Sequence, residues 1–266
     1  MTHNSLYRIL LSTVLLIFLA ACSSDSTNNV DETTDPVEQN PDEQNPDEQN
    51  PDEQNPDEQI IPEMPPELAQ NARYRLTFTA TWSVETHPDN FPPNPHFSGL
   101  IGGVHNEQVI FWESGQIASD GLEAVAETGA KTSFRNEVNA AIDDGRALAL
   151  IDAGGVALSP GTVSTEFSVN RDYPEITVIS MLAPSPDWFV GVRNLSLLND
   201  SAEFVQMQTI DLNLYDSGTD SGISYTSGNS DTNPRDPVAL FTSADSSLPF
   251  VDGMPVVGQF LIEKIE

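Results

Sequence analysis

The fold is decided by one stretch of the sequence, Tyr74-Arg75-Leu76-Thr77-Phe78-Thr79-Ala80-Thr81-Trp82. Rings and aliphatic side chains alternate there with polar ones, which is the pattern of a strand with one buried face. Later segments rich in branched or aromatic residues are bounded by Gly, Pro, Asn or Asp and also predict strands. These segments are 109–112, 165–169, 175–182, 189–192, 205–215 and 256–265. The pattern is typical of a mostly antiparallel β-sandwich.

Two segments between the strands favour helices, 122–128 and 133–142. In the second, Phe134, Val138 and Ile142 recur at four-residue spacing and so share one helix face. The apolar run 147–151 fits either a strand or the end of a helix. We therefore expect the β-sandwich to carry a small helical insertion.

The composition limits the partners and the chemistry. The 266 residues include 10 Lys and Arg against 41 Asp and Glu, a formal net charge of −31. Nucleic acid is excluded as a partner, because phosphate binding needs a basic face. Such a chain attracts cations, and calcium prefers carboxylate oxygens; the alternative is a solvated acidic surface suited to a salty habitat. The single cysteine, Cys22, rules out a disulfide within the chain and a thiolate metal site.

Residues 1–21 predict a cleavable signal peptide. The apolar run 6–21 is short for a membrane span, which needs about 20 residues, and fits the core of a secretory signal. It ends in Leu19-Ala20-Ala21-Cys22, which resembles the lipobox of bacterial lipoproteins, in which the cysteine is acylated. A lipid on Cys22 would anchor the protein to a membrane, and Ser23 favours the outer membrane. The alternatives are an ordinary signal peptide with an accidental cysteine, or an uncleaved anchor.

Residues 22–70 predict a disordered acidic stalk. The five-residue unit Pro-Asp-Glu-Gln-Asn begins at Pro41, Pro46 and Pro51, and a fourth, imperfect copy begins at Pro56. Proline at every fifth residue prevents a helix, and the segment has too little apolar surface to offset the entropy of ordering. We expect a spacer between the membrane and a single folded domain over residues 71–266.

Three segments of that domain are distinctive. The first runs from Trp82-Ser83 through His87-Pro88 to Phe97-Ser98-Gly99-Leu100-Ile101-Gly102. The second is Pro184-Ser185-Pro186-Asp187-Trp188-Phe189-Val190-Gly191-Val192, and the third is Tyr215-Asp216-Ser217-Gly218-Thr219-Asp220-Ser221-Gly222. In this order they resemble the spondin N-terminal domain family, over roughly residues 72 to 250. The resemblance implies an extracellular β-sandwich related to C2 domains, a bound calcium ion, and a role in adhesion or recognition instead of catalysis.

Two aspartates are the main candidates for calcium ligands. Asp187 lies in a Pro-x-Pro-Asp turn before an apolar strand, and Asp216 follows a strand in a loop that contains glycine. Close carboxylates repel each other unless a cation bridges them, and the resemblance assigns both positions to calcium. It also implies a third ligand on the preceding strand, where ungapped counting places Ser168, with Glu166 two residues earlier on the same face. Glu166, Ser168 or water would then complete the site, and Asp220 is either a further ligand or a turn former.

Three histidines recur at nine-residue intervals, at His87, His96 and His105, and three histidines can bind zinc. The loop between them is rich in proline. The interpretation we favour is that these histidines form hydrogen bonds with loop backbone.

We therefore expect a lipid-anchored protein of the cell envelope, in the outer membrane, that recognises an extracellular protein or glycan; the domain faces either the cell surface or the periplasm, and the sequence leaves both open. One alternative is a carbohydrate-binding or hydrolytic surface enzyme, which requires two carboxylates roughly 5 to 10 Å apart in a cleft. Trp82, Trp112 and Trp188 would then form a sugar-stacking platform, although such tryptophans are more often core anchors. A second alternative is a structural envelope protein in which calcium only fixes the loops.

Overall fold

A computed structural model describes residues 68–241 and 256–266. The signal peptide over residues 1–21, the lipidation site Cys22 and the stalk as far as residue 67 lie outside these ranges and stay predictions. Within the two described ranges, no helix is both long enough and apolar enough to cross a membrane.

The described part of the domain is mostly β-structure, with two helices inserted between the third and fourth strands. In chain order the elements are β1 (Asn71–Ala80), β2 (His96–Phe97), β3 (Ile101–His105), α1 (Asp120–Thr128), α2 (Thr132–Asp143), β4 (Ala147–Asp152), β5 (Gly161–Asn170), β6 (Glu175–Ala183), β7 (Trp188–Ser196), β8 (Met207–Leu212), β9 (Leu214–Asp216), β10 (Ala239–Leu240) and β11 (Gly258–Lys264).

The strands form two antiparallel sheets. The smaller sheet has the order β5-β1-β11-β8, and the larger has the order β10-β9-β7-β6-β3-β4, with β2 paired to β6. β1 occupies the interior of the smaller sheet, between β5 and β11. Its residues alternate as predicted, since Tyr74, Leu76 and Phe78 are buried while Arg73 and Arg75 are exposed.

Two apolar cores give the domain three layers. The first core lies between the sheets and includes Phe78 and Phe260 of the smaller sheet and Val178 of the larger one. The second core lies on the other face of the larger sheet, where Ile179 packs in the same cluster as Phe134 of α2. β6 is therefore covered on both faces and is buried from its second residue onward, which explains its nearly continuous apolar sequence.

The β-sandwich with a small helical insertion is confirmed, and both predicted helices are present. α1 begins after Ser119, whose side chain accepts a hydrogen bond from the Leu122 N–H at 3.1 Å, and it ends at Gly129 with φ 69°. These are the common start and stop signals of a helix. The ambiguous run 147–151 belongs to strand β4.

Two strand predictions were wrong in detail. Segment 109–112 is an irregular loop, and its apolar side chains Phe111 and Trp112 are buried in the second core instead of lining a strand. Segment 205–215 is interrupted at Asn213, so that β8 joins the smaller sheet and β9 joins the larger one.

β3 was not predicted because Gly102 and Gly103 weaken its strand signal. A Cβ atom on Gly102 would lie 1.9 Å from the Thr177 carbonyl oxygen, so that this position requires glycine for the close approach of two backbones.

Candidate metal centre

The pairing of two neighbouring strands brings Asp187 and Asp216 to the same end of the larger sheet. Asp187 immediately precedes β7, and Asp216 is the last residue of β9. In the antiparallel register Trp188 lies opposite Asp216, so the two aspartates are neighbours across the strands. The turn before β7 is held by Ser185, whose hydroxyl donates to the Leu182 carbonyl at 2.5 Å and accepts from the Trp188 N–H at 3.1 Å.

The carboxylate of Asp187 is completely buried, with 0% of the residue exposed. Loop 216–220 wraps around it, and its Oδ2 accepts hydrogen bonds from the Ser217 hydroxyl at 3.0 Å and from the N–H groups of Thr219 at 2.8 Å and Asp220 at 3.1 Å. Its Oδ1 has no hydrogen-bond partner within the described residues. A buried carboxylate oxygen without a hydrogen-bond partner is costly, and a cation is one group that would stabilise it.

Asp216 is a second carboxylate in an unfavourable environment. Its Oδ1 accepts a hydrogen bond from the Gly218 N–H at 2.7 Å. Burial and, next, the negative charge of Asp187 raise the pKa of Asp216 from 3.8 to about 7. Burial also raises the pKa of Asp187, although the surrounding N–H and hydroxyl donors oppose that effect. A cation between the two side chains would favour the ionised form of both.

Glycine is required inside the loop that surrounds Asp187. Gly218 has φ 75°, and its carbonyl oxygen accepts a hydrogen bond from the Asp236 N–H at 2.8 Å. A Cβ atom there would lie 2.1 Å from the Asp236 carbonyl oxygen. The loop can therefore close over Asp187 only with glycine at this position.

Two further acidic residues lie near the pair, and one of them comes from the helical insertion. Asp220 is 5% exposed, and its two carboxylate oxygens accept hydrogen bonds from the N–H groups of Gly222 and Ser230, each at 2.7 Å. Glu127 of α1 is half-buried and forms a hydrogen bond with the side chain of Thr219. Burial raises the pKa of Glu127, and the charges of Asp187 and Asp220 add to the effect. The sequence analysis missed Glu127, because its only local signal is an acidic residue in the last turn of a helix.

The comparison with known proteins matches this architecture. A protein-family model described as Spondin_N matches residues 72–253, which contain both aspartates, their loop and the helical insertion. The chain belongs to the Spondin_N family. The family that the three sequence segments predicted is thus confirmed.

Vertebrate spondins are similar to this Spondin_N chain. Spondin-1 of Gallus gallus is 37% identical over 204 residues, which are 73% of this chain and 25% of that protein. Spondin-1 of Homo sapiens is 36% identical over the same length and shares. Spondin-2 of Homo sapiens is 36% identical over 185 residues, which are 67% of this chain and 55% of that protein. The match therefore spans about a quarter of Spondin-1 and about half of Spondin-2.

The structure does not bring Glu166 and Ser168 to the aspartates of this Spondin_N domain. Both lie on β5, at the edge of the smaller sheet, and they point to solvent because Phe167 and Val169 face the core. The Glu166 carboxylate instead lies 2.6 Å from Arg73 and 2.9 Å from Arg75. The hydrogen bonds and positive charges of these arginines lower the pKa of Glu166. Glu166 is therefore held in ion pairs on the smaller sheet, and Ser168 lies on the same solvent-facing side of β5.

The three histidines are hydrogen-bonded separately. His105 is buried, and its Nε2 lies 2.8 Å from the Thr177 hydroxyl and its Nδ1 2.8 Å from the Asn106 carbonyl oxygen. His96 lies 2.9 Å from the Asn94 carbonyl oxygen, and His87 lies 2.8 Å from the Thr86 hydroxyl.

In residues 68–241 and 256–266, no three His, Cys, Asp or Glu side chains already form a complete metal-ligand set. The finding applies to the histidines and to the aspartates alike. A cation at Asp187 and Asp216 would therefore also have to use carbonyl, hydroxyl or water oxygens, which calcium accepts.

The three tryptophans anchor the cores instead of forming an open platform. Trp82 and Trp188 are fully buried between the sheets, and Trp112 is 6% exposed in the second core. Trp82 and Trp188 both contact Tyr225 edge-on or at a tilt, with ring centroids 5.3 Å and 5.5 Å away. Their rings are not available for stacking on a sugar.

Proposed function

We propose that this chain is an extracellular recognition or adhesion module whose Spondin_N domain binds calcium through Asp187 and Asp216, assisted by Asp220. The observation that carries the proposal is the fully buried Asp187 carboxylate, with one oxygen unpartnered, beside a second, partly buried carboxylate. Calcium takes six to eight oxygen ligands and tolerates irregular geometry, which suits a site built from loops. Membership of the Spondin_N family and the β-sandwich also support a binding role instead of catalysis.

Calcium has a structural task in this proposal. Asp187 precedes β7, Asp216 ends β9, and the loop that follows β9 encloses the Asp187 carboxylate. A cation held by these side chains would fix the end of the sheet where the two strands and the loop meet. The ligand-binding surface would then be presented in one conformation, and the bound partner would be an extracellular protein or a glycan.

The calcium site is tested by thermal unfolding of the full chain with calcium, with magnesium and with a chelator. At a calcium concentration of one hundred times Kd, the folded state should gain about 2.7 kcal/mol. For a domain of this size that gain raises Tm by roughly 5 to 10 °C. Asp187→Asn should abolish the gain.

Glu166→Gln is the matched control, because it also removes one carboxylate but changes the arginine-bound side chain on β5. The calcium-dependent gain should survive in this variant. An unchanged Tm of the wild-type chain in calcium would refute the site, and a loss of the gain in Glu166→Gln would return Glu166 to the ligand set.

We also propose that the protein is anchored in the cell envelope by a lipid on Cys22, in the outer membrane and with the domain displayed at the surface. The support is the lipobox-like sequence that ends at Cys22 and the Ser23 that follows it. Incorporation of labelled palmitate in bacteria should be lost in Cys22→Ala and retained in Ser23→Ala. Equal labelling of the wild type and Cys22→Ala would refute the lipid anchor. Resistance of the protein to protease added to intact cells would refute surface display.

A further inference from the structure

The position of Glu127 is electrostatically unfavourable without a cation. It lies in the last turn of α1, where the unpaired carbonyl groups carry partial negative charge, and no basic residue lies in that turn. Among the described residues no ion pair joins Glu127 to a Lys or Arg. Arg235 pairs instead with Asp120 and Glu123, which lie two turns and one turn earlier in α1. A half-buried carboxylate with these neighbours has a reason to be there only if something positive binds it.

A short chain of hydroxyl groups links Glu127 to Asp187. The Thr219 hydroxyl contacts Glu127, lies 2.8 Å from the Ser217 hydroxyl, and lies 3.3 Å from Asp187 Oδ2. The Ser217 hydroxyl in turn donates to Asp187 Oδ2 at 3.0 Å. Each hydroxyl can donate only one hydrogen bond. The two hydroxyls therefore cannot donate to Glu127 and to Asp187 and also to each other at the same time. Donors are therefore scarce on the side of Asp187 that faces α1.

The unpartnered atom of Asp187 is an independent observation that points to a ligand. Oδ1 belongs to a residue with no exposed surface and has no hydrogen-bond partner within the described residues. The field at Asp187 also includes Asp220, whose charge raises the pKa of Asp187, and both aspartates act on Glu127. Glu127 and Asp220 thus lie close to Asp187, whose second carboxylate oxygen lacks a partner.

We propose that Glu127 supplies a further carboxylate to the calcium site, so that cation binding ties the helical layer to the loop around Asp187. The inference rests on the proposed function and extends it from the sheet to the helical insertion. It also predicts selectivity, because calcium accepts more carboxylate oxygens at longer distances than magnesium does. The cation would thereby fix α1 relative to the end of the larger sheet.

The test is calcium titration of the full chain by calorimetry, for the wild type, Glu127→Gln and a control. Glu127→Gln should weaken calcium binding by roughly tenfold or more, since the loss of even an outer-shell partner of a metal ligand typically costs 10–100-fold in affinity. Asp143→Asn is the matched control, because Asp143 is also an acidic residue at the end of a helix but is exposed. Both variants remove one negative charge from the end of a helix and so relieve the same helix-dipole repulsion. Because Asp143 is not part of the proposed site, the calcium affinity of Asp143→Asn should stay within about twofold of the wild type.

A third variant distinguishes direct coordination of calcium by Glu127 from a purely electrostatic effect of its negative charge. Glu127→Asp keeps the charge but shortens the side chain, so a ligand role predicts an affinity close to that of Glu127→Gln. A wild-type affinity in Glu127→Asp would overturn ligation by Glu127. The metal-free Glu127→Gln variant should be at least as stable as the wild type, and this control excludes loss of affinity through misfolding.

The failure of this inference can be distinguished from that of the proposed function. If the wild-type chain binds calcium and Glu127→Gln binds it equally well, only the role of Glu127 is overturned. If the wild-type chain shows no calcium heat and no calcium-dependent Tm, the proposed function fails and the role of Glu127 fails with it.

Discussion

The substitution Asp216→Asn should stabilise the fold without calcium and should lose most of that advantage when calcium is present. The amide side chain retains an oxygen that can accept from the Gly218 N–H, as Asp216 Oδ1 does at 2.7 Å. The substitution removes the negative charge that lies beside Asp187. Without a cation, the wild-type fold must keep this carboxyl protonated or tolerate its ionisation close to a second carboxylate.

The magnitude follows from the pKa of Asp216, which the fold raises from 3.8 to about 7. At about 1.4 kcal/mol per pKa unit, this change corresponds to a cost on the order of 4 kcal/mol when the side chain is ionised. In the unfolded chain Asp216 ionises near pH 4, whereas the folded state keeps its proton to about pH 7. The metal-free fold should therefore lose this stability as pH rises from about 4 to about 7, and lose no more above that range.

The assay is urea unfolding of the full chain between pH 4 and pH 8, followed by the fluorescence of the buried tryptophans. In chelator at pH 8, Asp216→Asn should be more stable than the wild type by up to about 4 kcal/mol, and the difference should approach zero at pH 4. In calcium at one hundred times Kd, the wild type should gain about 2.7 kcal/mol that Asp216→Asn lacks, so the difference at pH 8 should shrink to roughly 1 kcal/mol. Asp200→Asn, an exposed loop position, is the control and should follow the wild-type profile throughout.

Coincident pH profiles of the wild type and Asp216→Asn in chelator would refute the reasoning. They would mean that Asp216 is ionised at no cost in the fold, and the case for a cation beside Asp187 would lose its electrostatic basis. Profiles that differ as expected but do not respond to calcium would retain the buried charge and reject calcium as its partner.

Two further substitutions test the fold, one in the loop around Asp187 and one inside the larger sheet. Gly218→Ala should destabilise the fold by roughly 2 to 4 kcal/mol in urea unfolding, because its φ of 75° is strained for alanine and its Cβ would lie 2.1 Å from the Asp236 carbonyl oxygen. The control Gly115→Ala, with φ 88° and open space around it, should cost only about 1 kcal/mol. Equal costs for the two variants would contradict the steric argument. Thr177→Val should cost roughly 1 to 3 kcal/mol, because the buried hydroxyl that meets His105 Nε2 at 2.8 Å and the Asn194 N–H at 3.1 Å is lost. The exposed Thr79→Val is the control and should be nearly neutral. A neutral Thr177→Val would show that the two hydrogen bonds add no net stability.

Strand patterns with one buried face could be predicted from the sequence, and patterns interrupted by special backbone could not. β1 alternates cleanly because one of its faces meets the core and the other meets water. β3 contains Gly102 and Gly103, and only the structure shows that the Thr177 carbonyl oxygen leaves no room for a side chain at Gly102. The segment 109–112 shows the converse, since its apolar residues serve packing in the second core without any strand.

Half of the predicted site was brought together by the fold. Asp187 and Asp216 could be paired from the sequence because each follows or precedes a strand, and strand ends meet at the edge of a sheet. Counting along the chain could not show that β5 joins the other sheet, where Glu166 pairs with Arg73 and Arg75. Glu127, the acidic neighbour that the sequence did not reveal, belongs to helix α1. The packing of a helix against a loop leaves no spacing signal in the sequence.

The acidic composition and the buried aspartates act together on cation binding. The full chain has a net charge of −31, which raises the local concentration of cations, and the acidic residues of the folded domain destabilise its compact state through self-repulsion. The buried carboxylates add a local cost of the same sign, on the order of 4 kcal/mol at Asp216 alone by the reasoning above. That cost is a large fraction of the 5 to 15 kcal/mol by which domains are typically stable. A domain of this kind should therefore be fully rigid only where divalent cations are abundant, and extracellular modules commonly bind calcium with Kd values of about 10⁻⁴ to 10⁻³ M. The proposed site thus links the rigidity of the recognition surface to the calcium concentration outside the cell.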